Sequence, residues 1–246
     1  MTYCVALRLN RGLVFAADTR TNAGVDNIAQ FRKIHYWSKP GERVLVLLTA
    51  GNLSLTQSVV SLINEQLAGS EDDPEAPSLF NVPTMYRAAR LVGDAVRAIR
   101  AIDGPALEAT KTGFSGSFIL GGQIGSEPPR LFQVYSEGNF IEATDETPFF
   151  QIGEHKYGKP ILDRVVKADT PLAAVAKCAL VSMDSTIRSN LSVGMPLDLA
   201  IVRRDGLAIA LHRNITAEDA YFKVIRDGWG ESLRNAFHAL PDPSIP

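Results

Sequence analysis

Twice along its length, this sequence passes from a group of strand-like segments to a pair of amphipathic helical segments. Helices are predicted at about 53–67 and 83–102, at about 156–166 and 171–188, and finally at about 216–238. Because the apolar faces of a sheet have to be covered, this order predicts two stacked antiparallel sheets with helices outside. We therefore expect an α/β (α+β) chain, folded as a four-layer αββα sandwich. No linker-like segment interrupts the chain, which predicts a single domain over residues 1–246.

The N-terminal segment has the pattern of a β-hairpin. Residues 3–9 alternate with period two, residues 10–12 form a turn, and residues 13–17 form the returning strand. Two antiparallel strands of similar length bring their outer ends together. Asp18 is therefore expected to lie beside Thr2.

A lysine lies in the third predicted strand, residues 30–37. By period-two alternation, Lys33 shares a face with Phe31 and Trp37. An unpaired ammonium on a partly buried face is costly, so this lysine needs an anionic partner. Asp18 is the expected partner.

A near-continuous apolar run at residues 43–49 predicts a strand that is covered on both faces. Gly51 follows this strand, and a helical pattern starts at about Leu53. A strand–glycine–helix junction leaves backbone N–H groups at the helix N-terminus, where negative charge is favoured. If the junction lies near Thr2, the Gly51 N–H can act as an oxyanion donor.

Thr2 becomes the N-terminal residue if Met1 is removed. A free α-amine has a pKa of about 7.7–8, so a usable fraction is neutral near pH 7. Such an amine is one of the recognised bases for activating a threonine hydroxyl. With its amine and hydroxyl on one residue, Thr2 is therefore a candidate nucleophile.

Composition excludes several classes of partner. The formal net charge of −2 is too small to indicate binding to nucleic acid or to an anionic membrane. No apolar stretch approaches the roughly 20 residues that span a bilayer, and no signal-peptide pattern is present at the N-terminus. Cys4 and Cys178 are too few for a disulfide scaffold. We expect a cytoplasmic protein.

Several short motifs occur together in a characteristic order. They are Thr2, Ala-Ala-Asp-Thr-Arg at 16–20, Phe-Arg-Lys-Ile-His at 31–35, Thr-Ala-Gly at 49–51 and Phe-Ser-Gly-Ser at 114–117. In this order they resemble proteasome β-type subunits of the N-terminal nucleophile hydrolases. The first nine residues and the segment from Ala220 to Arg234 are most similar to the bacterial ancestral β-subunit group, Anbu. The resemblance covers the whole chain.

The resemblance implies a four-layer sandwich and a threonine-type peptidase that needs no metal or organic cofactor. It implies a peptide or unfolded protein as substrate, and self-association into a ring or ring-like oligomer. The roles that it implies are nucleophile for Thr2, neighbouring charge for Lys33, orienting partner for Asp18, oxyanion donor for Gly51, hydrogen-bond partner of the terminal amine for Ser115, structural support for Arg20, and a matching late-loop serine for Ser192. One position departs from the family pattern. Ser189 stands where the family has an aspartate, which puts the polarisation of the amine, and hence catalytic efficiency, in doubt.

Each of these residues also has a simpler interpretation. Thr2 can be an ordinary surface residue, Asp18 and Lys33 a structural ion pair, Gly51 a helix-start glycine, and Ser115 a small strand residue. Cys4 is interpreted as a small core residue, and the four histidines as structural or surface residues.

Two other functions remain open beside the peptidase. One is an N-terminal nucleophile amidase that acts on a small amide. The other is a catalytically weak or inactive assembly subunit that keeps the fold and the contacts between subunits. Ser189 mildly favours this last interpretation.

Overall fold

The computed structural model describes residues 2–22, 28–109 and 115–245. Its strands are β1 Tyr3–Leu9, β2 Gly12–Asp18, β3 Arg20–Asn22, β4 Ile28–Gln30, β5 Ile34–Lys39, β6 Arg43–Gly51, β7 Gly116–Ile124, β8 Arg130–Val134, β9 Phe140–Glu142, β10 Phe149–Gly153, β11 Leu197–Arg203 and β12 Ile209–Ile215. Its helices are α1 Leu53–Asp72, α2 Met85–Ala109, α3 Lys159–Val165, α4 Leu172–Ser189 and α5 Ala220–His238. None of these helices, within the part of the chain described, is long and apolar enough to cross a membrane.

Two five-stranded sheets form the centre of the fold. The first has the strand order β10-β1-β2-β11-β12 and the second has the order β5-β6-β7-β8-β9. All of their neighbouring strands pair antiparallel. The short strands β3 and β4 form a separate two-stranded ribbon. The prediction of two antiparallel sheets is confirmed.

Three hydrophobic clusters separate the layers. Residues of β1 alternate between two of them, with Tyr3 and Val5 packing toward α3, α4 and α5, and Cys4 packing toward the opposite sheet. In β6, Leu45 packs toward α1 and α2, whereas Val44 faces the space between the sheets. Because both faces of β6 are covered, its sequence is almost continuously apolar. The arrangement is helices, sheet, sheet and helices, which confirms the predicted four-layer sandwich.

The predicted third strand, residues 30–37, is wrong in one respect that matters for the site. The chain leaves the strand conformation after Gln30 and re-enters it at Ile34. Lys33 is 4% exposed while Phe31 is 37% exposed, so the two do not share a buried face as the alternation predicted. The interruption turns the lysine inward, where it can reach a carboxylate that a regular strand would not present to it.

Several helix and strand ends also differ from prediction. Helix α1 continues to Asp72 instead of ending near residue 67, and the Asp73 N–H still bonds the Gly69 carbonyl at 3.0 Å. Helix α2 starts at Met85, whose N–H is bonded by the Glu127 carboxylate at 2.8 Å, a partner that lies 42 residues away. It also runs past Pro105 to residue 109, since the carbonyl left without a hydrogen bond belongs to an exposed turn.

The last two elements begin later than the sequence predicted. The sequence predicts the last strand at residues 207–212, but β12 starts at Ile209 because Asp205 and Leu207 adopt positive φ angles of 62° and 45° in the preceding turn. Helix α5 starts at Ala220, with Asp219 as its N-cap, and not at the capping box expected from Thr216. The Asp219 carboxylate accepts a hydrogen bond from Phe222 N at 2.8 Å, which is a sufficient cap.

Candidate active site

The N-terminal hairpin brings the two ends of its strands together. Cys4 pairs with Ala17 in the register of β1 and β2. One residue further out, the Tyr3 backbone N–H donates to Asp18 Oδ1 at 2.9 Å. Asp18 therefore lies beside the peptide group that joins Thr2 to Tyr3, as the hairpin pattern predicted.

Strand β10 holds Thr2 from the other side. Tyr3 pairs with Gly153, and the Thr2 carbonyl accepts a hydrogen bond from Glu154 N at 2.6 Å. Gly153 has a φ of 81°, and a Cβ placed on it would lie 1.9 Å from the Thr2 carbonyl oxygen. Only glycine allows this approach of the two backbones.

Lys33 reaches the site from the segment between β4 and β5. Its ammonium donates to Asp18 Oδ1 at 2.7 Å and to the Arg20 carbonyl at 2.5 Å. The predicted ion pair between Lys33 and Asp18 is confirmed. Because Tyr3 N–H and the Lys33 ammonium bond the same carboxylate oxygen, the cation lies close to the peptide group between Thr2 and Tyr3.

The ion pair is almost completely buried. Asp18 is 0% exposed, and its other oxygen lies 3.4 Å from the Gly194 N–H that faces it. Burial raises the pKa of the Asp18 carboxyl, while the Lys33 ammonium and the surrounding hydrogen bonds lower it. Removing one partner of such a pair leaves an uncompensated buried charge.

Arg20 links the ion pair to the loop that follows α4. Its carbonyl binds Lys33, and its Nη1 donates to the Leu191 carbonyl at 3.1 Å. A Cβ at Gly194 would lie 2.3 Å from the Arg20 guanidinium carbon, so glycine leaves room for the side chain. The loop holds the half-buried Ser192, one of the residues singled out in the sequence.

Gly51 and Ser115 meet at the junction of β6, β7 and α1. Gly51 has a φ of 113°, and a Cβ on it would lie 2.4 Å from the Ser115 carbonyl oxygen. That oxygen accepts a hydrogen bond from Asn52 N at 2.9 Å. The Thr49 N–H, on the opposite side of the strand from the Asn52 N–H, bonds the Lys33 carbonyl at 3.0 Å. N–H groups two residues apart in a strand point to the same side, so the Gly51 N–H is also expected on the Lys33 side.

Cys4 is a buried thiol and takes no part in the exposed surface of the site. It is 0% exposed, and its Sγ lies 3.6 Å from the Thr49 carbonyl. Burial raises the pKa of the Cys4 thiol far above its usual range, which suppresses the thiolate needed for nucleophilic attack. The interpretation of Cys4 as a core residue is confirmed.

The structure adds three residues to the site that the sequence analysis missed. Gly153 and Glu154 contact the Thr2 backbone, and Asn190 bonds the Glu154 carboxylate. The local sequence around them carries no motif. Gly153 and Glu154 could have been found only from the register of β10 against β1, which places Gly153 opposite Tyr3, and Asn190 only from its contact with Glu154.

His35, two residues after Lys33, gives a test of the electrostatics around this segment. Burial, with a smaller contribution from Arg32, lowers the pKa of His35 to about 4 from 6.5. The neutral ring is therefore favoured in the folded protein, and its stabilising effect is lost as the pH falls from 6.5 toward 4. When the pH is lowered from 7.5 to 5, the unfolding free energy of the wild type should fall by about 2 kcal/mol more than that of the His35→Gln variant. Urea denaturation at both pH values measures this difference.

The matched control for that measurement is His238→Gln, at an exposed position near the end of α5. This variant should follow the wild-type pH dependence. If His35→Gln follows it as well, His35 is not buried as a neutral ring.

Two stacked antiparallel sheets between helix layers, with a lysine–aspartate pair at the N-terminus of β1, define a proteasome-like N-terminal nucleophile hydrolase fold. The chain is 59% identical to Anbu from Hyphomicrobium sp. strain MC1, with a TM-score of 0.91 and coverage of 99% of this chain and 100% of that one. By these similarities, and those that follow, the chain belongs to the Anbu family, the ancestral β-subunits of the proteasome-like N-terminal nucleophile hydrolases.

Two further solved structures agree. Anbu from Yersinia bercovieri is 52% identical over 100% of both chains, with a TM-score of 0.92. A helical assembly of the Anbu complex from Pseudomonas aeruginosa contains a chain that is 51% identical, with a TM-score of 0.92 and coverage of 99% of this chain and 98% of that one. The sequence matches no protein-family model and none of the curated proteins.

Proposed function

We propose that this chain is a threonine-type peptidase subunit of a self-assembling bacterial proteasome-like particle, with Thr2 as nucleophile after removal of Met1. Met1 itself lies outside the described residues. One observation carries the proposal: the buried Lys33 ammonium and the Tyr3 N–H share one oxygen of Asp18. A desolvated cation is thereby held beside the residue whose hydroxyl and amine would react.

In the proposed reaction, the neutral α-amine of Thr2 takes the proton of the Thr2 hydroxyl as the oxygen attacks a peptide carbonyl. Lys33 stabilises the negative charge that develops on the attacking oxygen, and Asp18 orients Lys33. The carbonyl oxygen becomes an oxyanion, and the Gly51 N–H donates to it. The peptide amine leaves as it takes the proton back from the α-ammonium of Thr2, and water then hydrolyses the ester and frees the Thr2 hydroxyl. Ser115 and Ser192 are proposed to hydrogen-bond the amine.

The exposure of the Gly51 junction supports its proposed role. Gly51 and Ser115 are both exposed, whereas Lys33 and Asp18 are buried. A peptide that lies along the exposed junction would therefore present its carbonyl to Gly51 while the ion pair stays shielded from water. Charges shielded in this way act more strongly on the reacting atoms than charges in solvent.

Self-association is the second part of the proposal. The 51% identical Pseudomonas aeruginosa relative is found as a helical assembly, and we propose that this chain also forms a ring or ring-like oligomer. Its substrate would be a peptide or an unfolded protein. We place the particle in the cytoplasm, where both buried cysteines, which are free, would stay reduced.

A non-catalytic or weakly catalytic assembly subunit is the alternative, and one observation favours it. Ser189 is exposed at the end of α4, and it supplies no carboxylate to the site. A weakly polarised amine would make Thr2 a poor nucleophile even with the rest of the site intact.

The test is intact mass together with reaction with an electrophile directed at N-terminal threonine. We expect a chain without Met1 and a stoichiometric adduct on Thr2. The Thr2→Ala variant should form no adduct and should lose peptide hydrolysis to background, because it lacks the attacking hydroxyl. Peptides and small amides are assayed in parallel to separate a peptidase from an amidase.

A mass that includes Met1, with no adduct, would contradict the peptidase and support the assembly subunit. Hydrolysis that survives in the Thr2→Ala variant would contradict the assignment of the nucleophile. Turnover of small amides without turnover of peptides would favour the amidase.

A further inference from the structure

Glu154 lies beside Thr2 through its backbone and carries a buried carboxylate. It is 8% exposed, and its backbone N–H donates to the Thr2 carbonyl at 2.6 Å. Its Oε1 accepts a hydrogen bond from Lys156 N at 3.2 Å, and its Oε2 accepts one from Asn190 Nδ2 at 3.0 Å. Within residues 2–22, 28–109 and 115–245, no basic side chain forms an ion pair with it. A buried carboxylate without a cation is unusual, because desolvation of the charge is costly.

Asn190 connects this carboxylate to the loop that holds Ser192. Its Nδ2 donates to Glu154, and its Oδ1 accepts from Ser192 N at 2.9 Å. Asn190 is also the residue that ends α4, with an extended backbone. The side-chain amide thus uses both of its ends to join the terminus, through Glu154, to the Ser192 loop. Ser189, one residue earlier, is exposed.

We infer that Glu154, acting with Asn190, is the positioning carboxylate of this site: it orients the α-amine of Thr2 and fixes the loop of Ser192 against it. The inference rests on the proposed function, since the amine exists only after Met1 is removed. In the mature chain the α-ammonium of Thr2 would supply the cation that the Glu154 carboxylate lacks. Glu154 thereby provides the anion that Ser189 does not.

Four charged residues belong to the hydrogen-bond network around the Thr2–Tyr3 peptide. Asp18 bonds the Tyr3 N–H, Lys33 bonds Asp18, the Arg20 carbonyl bonds Lys33, and the Glu154 N–H bonds the Thr2 carbonyl. Asp18 is already paired with Lys33, and the Arg20 guanidinium bonds the Leu191 carbonyl. Glu154 is therefore the anion among these four that is available to the amine. A carboxylate at this position favours the protonated amine and holds it in one orientation.

The experiment measures the ionisation of the Thr2 amine in the full-length protein. Intact mass first establishes that the chain starts at Thr2. The pH dependence of trace acetylation by acetic anhydride, read by peptide mass spectrometry, then gives the pKa of the Thr2 amine whether or not the protein hydrolyses peptides. Four variants are compared with the wild type: Glu154→Gln, Glu154→Asp, Asn190→Ala and the control Glu146→Gln.

We expect Glu154→Gln to raise the acid dissociation constant of the Thr2 amine about tenfold, because the charge that favours the ammonium is lost. Glu154→Asp, which keeps the negative charge, should raise this constant by less than Glu154→Gln does. Asn190→Ala should shift the constant in the same direction by less, since the carboxylate remains but is no longer held. Glu146→Gln, at an exposed position, should leave it unchanged.

An acid dissociation constant that is the same in Glu154→Gln as in the wild type would overturn the inference, even if Thr2 forms its adduct. If Glu154→Gln does not fold, an acid dissociation constant that is unchanged in both Glu154→Asp and Asn190→Ala would also overturn the inference. Retention of Met1 overturns the proposed function, and this inference with it. The two failures are therefore distinguishable.

Discussion

Replacing Lys33 with methionine is expected to slow acylation of Thr2 by roughly 10²–10⁴-fold, because no other cation is proposed to stabilise the attacking oxygen. The same change should lower the free energy of unfolding by about 3–5 kcal/mol, since Asp18 would remain buried without its partner. The rate of adduct formation and urea denaturation measure the two effects separately.

A second variant separates stability from reactivity. In the double variant Lys33→Met with Asp18→Asn, the buried charge is removed together with its partner, so most of the lost stability should return while the reaction stays slow. Lys167→Met, which removes an exposed lysine, is the control and should match the wild type in both measurements. A Lys33→Met variant that reacts at the wild-type rate would exclude Lys33 from the chemistry.

Replacing Gly153 with alanine is expected to displace Thr2. The new Cβ would lie 1.9 Å from the Thr2 carbonyl oxygen. Because both atoms are fixed by their backbones, no side-chain rotation relieves this contact. We expect a loss of about 3 kcal/mol or more in unfolding free energy. Because a displacement of about 1 Å can cost on the order of 10²-fold in rate, the reactivity of Thr2 should fall by at least that factor.

Gly41→Ala is the matched control for this substitution. Gly41 has a φ of 78°, close to the 81° of Gly153, but nothing lies within 4 Å of the Cβ that it would gain. Its substitution should cost only the backbone strain, about 1 kcal/mol, and leave Thr2 fully reactive. If the two variants behave alike, the contact between Gly153 and Thr2 does not position the terminus.

Sequence patterns were sufficient for the architecture and for part of the site. The alternation at residues 3–9 predicted strand β1, and the apolar run at residues 43–49 predicted that β6 is covered on both faces, as the structure shows. The ion pair between Lys33 and Asp18 was also predicted, although the strand that was expected to present Lys33 is interrupted there. The predicted ion pair is present because a buried ammonium requires an anionic partner, whether or not the local backbone is a regular strand.

The local sequence gave the wrong strand or helix boundary where contacts with distant residues set the backbone conformation. Lys33 leaves the strand geometry to reach Asp18, and Met85 begins α2 with a carboxylate from Glu127 as its partner. The catalytic roles of Thr2 and Gly51 stay predictions.

The sequence by itself determined the layered fold, because the period of apolar residues decides which face of each strand or helix is buried. Only the tertiary structure decided what surrounds Thr2. Gly153, Glu154 and Asn190 reach it through contacts between segments that lie about 150 or more residues apart from the terminus in the chain. Such contacts depend on strand register and on the close approach of backbones, and neither property produces a periodic pattern in the amino-acid sequence.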